Sequence, residues 1–145
     1  MHVEQLSLES IMDLRVRVLR AGTPSQKADY AEDNYPDVVH LGILEDNTPV
    51  ATSTWFSQEC PERVGIPAYQ LKGMAVDSSL QSRGYGASLI SAGVVLAQQH
   101  DARVVWARAR DSALPFYEKC GFICAGDGFI DEPTGMPHHI VVRDI

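Results

Sequence analysis

Apolar residues recur along this chain with two different periods. Leu8, Ile11, Leu14 and Val18 fall at the spacing of one helix face, which predicts an amphipathic helix from Ser7 or Leu8 to about Arg20. Its other face carries Arg15, Arg17 and Arg20, and Ala21-Gly22-Thr23-Pro24 stops it. A second short helix is expected through Lys27 to Glu32, then a loop over Asn34-Tyr35-Pro36-Asp37. The β-rich runs Val38 to Leu44 and Val50 to Phe56, parted by Glu45 to Pro49, predict a hairpin. Ser57 to Pro67, with two prolines and a glycine, reads as a loop. Ala68 to Val76 is apolar enough for a strand buried on both faces, and Gly73 within it predicts a bulge. Asp77 to Arg83 turns, and Gly84 opens a helix to about Gln99 with Leu89, Gly93 and Leu96 on one face. A strand follows from Arg103 to Ala109, then a short helix capped by Asp111 or Ser112, with Pro115 in its first turn and Gly121 past its end. Phe122 to Ala125 and His139 to Arg143 are the closing strands, with Gly126 to Pro137 as a loop between them. With a weak first strand from His2 to Leu6, this order predicts an α/β architecture: one mixed sheet with helices on both faces, in a single domain over residues 1–145.

Composition narrows what such a fold does. The 145 residues are 45% hydrophobic and 21% charged, an ordinary globular balance. The best apolar run, Leu89 to Ala97, is broken by Ser91 and Gly93, so no bilayer-crossing segment is expected. Met1 to Ser10 lacks a basic segment followed by an apolar one, which predicts no secretory leader and a cytoplasmic location. The net charge of −7 speaks against nucleic acid and anionic membrane as partners, because both reward basic patches. Cys60, Cys120 and Cys124 are odd in number and form no CxxC, as expected of reduced thiols.

Candidate chemistry concentrates between Val76 and Ala87, where a strand ends, the chain turns through Gly84 and Gly86, and a helix begins. The first amides of a helix have no partner within it, and the helix dipole places partial positive charge there. Glycines let the main chain approach a ligand with no Cβ in the way, so the segment suits a pyrophosphate. A P-loop would need GxxxxGK followed by Ser or Thr, and no such string occurs. A dinucleotide fingerprint would need a third glycine where Leu89 stands. A tight turn that binds nothing is the plainer alternative for the segment taken alone. Gln81-Ser82-Arg83-Gly84-Tyr85-Gly86, however, resembles the Q/R-x-x-G-x-G/A signature of the GNAT N-acetyltransferase superfamily. Leu114-Pro115-Phe116-Tyr117-Glu118-Lys119-Cys120-Gly121-Phe122 resembles its second marker, an FYEKxGF helix end. Element order agrees over nearly the whole chain. The segment from Gly126-Asp127-Gly128 to Pro137-His138, together with Val39-His40-Leu41-Gly42, is similar to the small ElaA-like branch.

The resemblance implies an acyl-coenzyme A N-acyltransferase fold with a mostly antiparallel sheet, and acetyl-coenzyme A as the acetyl donor. It assigns the donor's pyrophosphate to the amides of Arg83, Gly84, Gly86 and Ala87, bordered by Gln81, Ser82 and Tyr85. Met74-Ala75-Val76 would pair with the pantetheine arm like an added strand, and Phe116 would lie against the donor. An amide at the Gly73 bulge would polarise the thioester carbonyl, a contribution of ~3–4 kcal/mol for one such donor. Tyr117 matches the general acid, since a phenol with a pKa of about 10 can protonate the departing sulfur. Relatives often carry Asn where Arg110 stands, so either a pantetheine contact is lost or Arg110 serves the phosphates.

A base must also take the amine's proton. Many relatives place a glutamate on the strand before the glycine turn, but Tyr69-Gln70-Leu71-Lys72 offers none. The candidates are His40, His138, His139, Glu59 and a water chain, with His138 preferred for its place at the start of a closing strand. The acceptor is expected to be a primary amine of a small molecule or peptide, favoured by Glu32-Asp33 and Asp131-Glu132, although the arginine face of the first helix points toward an acidic acceptor. An acyl-coenzyme A sensor without transferase activity is the alternative, and the resemblance leaves a homodimer open. A metal site from Cys120, Cys124, His138 and His139 matches no zinc spacing, so no metal is expected.

Overall fold

A computed structural model describes residues 1–145. Seven strands form one sheet: β1 (Glu4–Leu6), β2 (Val39–Glu45), β3 (Thr48–Ser57), β4 (Ala68–Val76), β5 (Val104–Arg110), β6 (Ile123–Asp131) and β7 (Met136–Asp144). Their order is β1-β2-β3-β4-β5-β7-β6, and every pair is antiparallel except β4–β5. Three α-helices complete the chain: α1 (Leu8–Leu19), α2 (Tyr85–Gln99) and α3 (Leu114–Lys119). No helix is long and apolar enough to cross a membrane.

Period-two alternation in β3 decides which helix covers which face. Trp55 meets α2 at Gly93, whereas its neighbour Thr54 meets α1 through Arg15. The main core therefore lies between the sheet and α2 with α3, where Trp55, Leu71, Leu89, Ile90, Val105, Phe122 and Val141 are buried together. Helix α1 begins at Ser7, whose side chain accepts from the Ser10 amide at 3.2 Å and satisfies one of the helix's orphan donors.

Several local expectations give way to tertiary contacts. The expected helix over Lys27 to Glu32 is instead irregular backbone followed by one 3-10 turn, Ala31–Asn34. The Ala28 carbonyl and the Asp33 carboxylate are both bound to Arg15, which a regular helix would not present together. The loop expected from Gly126 to Pro137 is mostly strand: β6 runs on to Asp131 and β7 starts at Met136, with a register shift between Ala125 and Phe129 that absorbs the glycines. The β2–β3 connection is tighter than a five-residue loop. Asp46 and Asn47 both take left-handed φ, 51° and 63°, as a two-residue hairpin turn requires. Neither Asp111 nor Ser112 caps the helix that follows, because the Asp111 carboxylate faces His139 Nδ1 at 2.7 Å.

Gly93 marks the tightest contact between layers. A Cβ there would lie 1.9 Å from the buried Trp55 ring, which has no room to move. Gly93→Ala is expected to destabilise the protein by about 1–3 kcal/mol through overpacking, read as a lower urea midpoint with an unchanged slope.

Candidate active site

The parallel pair at the centre of the sheet comes apart halfway along. β4 and β5 are paired only from Ala68 opposite Val104 to Leu71 opposite Ala107, yet β4 continues to Val76 and β5 to Arg110. On its other edge β4 stays paired with β3, but not regularly. Lys72 pairs with Thr54 and Ala75 with Thr52, so Gly73 and Met74 together face Ser53. This is a bulge, and Gly73 has the left-handed φ of +67° that it calls for. It bends β4 away from β5 and leaves a strand edge whose polar groups can pair with an extended ligand.

The slot ends at the glycine turn. Ser82 (φ 65°) and Gly84 (φ 91°) are both left-handed, an alternation that gathers successive amides to one side. Gly84 is the N-cap of α2 and has no side chain with which to satisfy the amides that follow. The turn is braced from behind. Asp77 accepts from the Ser79 amide and hydroxyl and from Arg17, and these contacts hold its carboxyl below the usual range. Gln81 Nε2 donates to the Val76 carbonyl at 3.2 Å. Gly86 is required for a different reason: a Cβ there would lie 2.8 Å from the Phe116 ring, so α3 packs directly on the first turn of α2. The Tyr85 side chain leaves the turn to donate to Glu45.

A cleft of about 1380 Å³ opens over the slot and brings together Met74, Gln81, Phe116, Tyr117 and His138 from the expected site. Ala75 and Val76 sit deeper against the core, while Ser82, Arg83, Gly84 and Ala87 are exposed on the turn. Tyr117 is 7% exposed and lies edge-to-face with Phe116 and Phe122. Burial holds its phenol well above the ordinary 10.0, so the group keeps its proton. His138 is 6% exposed, and its Nδ1 faces the Met136 carbonyl at 3.0 Å. A carbonyl only accepts, so the proton is assigned to Nδ1 and Nε2 is left free to receive one.

The remaining base candidates sort by position. His40 is buried against Thr54, and His139 faces Asp111; neither lines the cleft. Glu59 does line it, with its carboxylate accepting from the Gly65 amide. Cys120 borders a separate cavity of about 420 Å³, and Cys60 is fully buried. Burial pushes all three thiols above their usual range, so none is an activated nucleophile.

What the sequence reading missed is a buried network behind the bulge. Arg15, wholly buried, donates to both Asp33 oxygens at 2.9 Å, to the Ala28 carbonyl and to Thr54 Oγ1, and lies over the Tyr30 ring. Thr54 in turn meets His40 Nδ1 at 2.8 Å. Arg15 falls one step beyond Leu14 on the predicted helix, on the arginine face read as pointing toward an acidic acceptor. The acidic residues expected to attract an amine are largely engaged: Asp33 with Arg15, Glu32 with Lys72 at 2.9 Å, and Asp131 with Thr134 and Arg108.

Comparison with known proteins agrees with this geometry. A sequence model of the acetyltransferase (GNAT) family matches residues 8–122. The chain is 29% identical over 142 residues to the uncharacterized N-acetyltransferase YitI of Bacillus subtilis (strain 168), covering 98% of this chain and 94% of that protein. Among solved structures, Escherichia coli ElaA superposes with a TM-score of 0.78 at 20% identity, covering 99% of both chains. An aminoglycoside 6'-N-acetyltransferase complexed with coenzyme A gives 0.75 at 13% identity, covering 99% of this chain and 97% of that one. At these identities the structural likeness concerns the fold.

The network makes stability depend on pH with a definite sign. Burial, then the Arg15 charge, lowers the pKa of His40 below 6.5. Asp33, although burial opposes its charge, is held below 3.8 by hydrogen bonds from Arg15 and the Tyr30 amide. Both groups bind protons more readily in the unfolded chain, so their contribution is complete above about pH 6.5 and is lost as pH falls, His40 first and Asp33 below about pH 4. Urea unfolding is expected to give a smaller free energy at pH 5 than at pH 8, and His40→Gln to narrow that difference.

Proposed function

Because the chain belongs to the acetyltransferase (GNAT) family, whose acyl donor is acetyl-coenzyme A, we propose that this acyltransferase moves an acetyl group to a primary amine of a small molecule or peptide, by direct attack within a ternary complex. The observation that carries this reading is the unpaired edge of β4 beyond Leu71, running straight into the left-handed turn at Ser82 and Gly84. One part suits an extended amide-bearing arm, the other a diphosphate, and coenzyme A joins the two in that order. The fit is supported by the open space around Gly84, where nothing lies within 4 Å of a notional Cβ.

The bound donor would supply an acetyl group activated as a thioester. The chain's own residues would do the rest. The β4 edge fixes the arm so that the thioester carbon faces the cleft, and the amides of the bulge are available to its oxygen. Unprotonated Nε2 of His138 takes the proton from the acceptor nitrogen as the N–C bond forms. Tyr117 gives its hydroxyl proton to sulfur as the C–S bond breaks, leaving an amide and free coenzyme A. The elevated thiol pKa values and the position of Cys120 outside the cleft support transfer without an acyl-cysteine stage.

Calorimetric titration with acetyl-coenzyme A tests the carrying observation: saturable binding is expected, weakened in Gly84→Val because a branched residue strains at φ 91°. A flat titration of folded protein overturns the reading. Tyr117→Phe is expected to lower kcat by ~10²–10⁴ while leaving donor affinity unchanged. With the phenol held above its ordinary 10.0, the wild-type rate is expected to show no alkaline loss up to about pH 10.

A further inference from the structure

Two arginines in the cleft lack the carboxylate partners that other cations of the protein have. Lys72 is paired with Glu32, Arg108 with Asp131, and Arg15 and Arg17 with Asp33 and Asp77. Arg20 is 8% exposed, and its guanidinium donates to the carbonyls of Lys27, at 2.5 Å, and Leu19, at 3.5 Å, and interacts with the neutral Tyr30 hydroxyl. Arg110, half-buried at the end of β5, donates to the same Leu19 carbonyl. No carboxylate lies within 4.0 Å of either group, and both line the cleft with Tyr117 and His138, the register partner of Arg110.

A guanidinium is costly to bury without a counter-charge, and two that share one carbonyl also repel each other. Burial, then Arg20, lowers the Arg110 pKa, although an arginine remains charged. Asp131, whose charge acts on Arg110, is turned to Thr134 and Arg108. The N–H groups that neither arginine uses are not sealed in: the one fully buried side-chain nitrogen without a partner anywhere in the protein is Arg15 Nε. Both residues line the cleft, where such charged N–H donors suit a carboxylate or phosphate.

We propose that Arg20 and Arg110 hold an acidic group of the acceptor, so that the acceptor is an amine that also bears a carboxylate, as an α-amino acid does. This deepens the acetyltransferase reading and rests on it. A second source of the same oxyanion chemistry would be the phosphates of coenzyme A. Position favours the acceptor. The pair is anchored to the end of α1, which covers one face of the sheet, whereas the glycine turn opens α2, which covers the other. Exposed Lys27, at the cleft rim, adds positive charge on the same side.

The test uses the full chain and matched probes: L-phenylalanine against phenethylamine, L-leucine against 3-methylbutylamine, and O-phosphoethanolamine against ethylamine. Thiol release with acetyl-coenzyme A is expected to give the carboxylate-bearing members kcat/KM values about tenfold or more above their partners. Arg20→Gln and Arg110→Gln are expected to remove that preference through KM, leaving the plain amines and the calorimetric affinity for acetyl-coenzyme A unchanged. Arg110→Lys, which keeps the charge and loses the fork, guards against a variant that fails to fold. Equal turnover of both members of each pair overturns the proposal. So does weakened acetyl-coenzyme A binding in the variants with the acceptor preference intact, which assigns the arginines to the donor's phosphates. Preference for the phosphate member alone also overturns the carboxylate assignment. Calorimetry with the amino acids separates the two readings. Amino-acid binding that the arginine variants abolish, without thiol release, supports the anion site while the transferase reading fails, and no amino-acid binding beside normal donor binding overturns the anion site alone.

Discussion

The buried guanidinium of Arg15 is the constraint on which the site depends. It ties α1 to the Ala28–Asp33 segment, to Thr54 on β3 and to the Tyr30 ring. A charge this deep is tolerable only when nearly every donor is met, and here all but Nε are. Nε lies 3.1 Å from where a Cβ on Gly73 would be, so the network presses against the very residue that bulges out of β4. Removing either ion would leave the other buried and alone, which costs about 3–5 kcal/mol, more than a single surface pair could supply. The bulge is thus held from behind by a rigid group instead of relaxing into a regular ladder.

From that constraint the rest follows in sequence along the sheet. The bulge bends β4, the parallel partner β5 is left behind after Leu71, and a gap opens through the middle of the sheet. The gap connects two chemically different faces. Tyr117 belongs to the apolar layer under α2, which keeps its phenol neutral, and His138 emerges from β7, beyond β5, with its tautomer set by a backbone carbonyl. A neutral phenol and an imidazole are therefore kept in different environments within one cleft, the separation that the proposed acid and base roles require.

Charge has to be counted locally in such a site. The chain as a whole carries −7, yet Asp33, Glu32, Asp77 and Asp131 are each engaged by a cation or a hydroxyl, while Arg20 and Arg110 in the cleft have no ionic partner. Net charge governs long-range steering and solubility. What a bound ligand meets is the residue of the pairing, and around the end of β5 that residue is the two arginines.

The periodic elements were legible in the chain itself: α1, α2, β4 and the glycine turn stand where hydrophobic spacing and the Gln81–Gly86 motif put them, because those signals act between neighbours in sequence. The bulge at Gly73 was legible for the same reason, a glycine interrupting an apolar strand. The short helix expected at Lys27 and the loop expected at Gly126 were misread because their backbones answer to distant partners, Arg15 in one case and the β7 ladder in the other. The role of Arg15 and the pairing of Glu32 with Lys72 left no local trace either, since each joins residues far apart in the chain. Local spacing determined which elements form and where the glycine turn stands; only the folded sheet decided which charges cancel, because cancellation depends on distances that exist after the layers have packed.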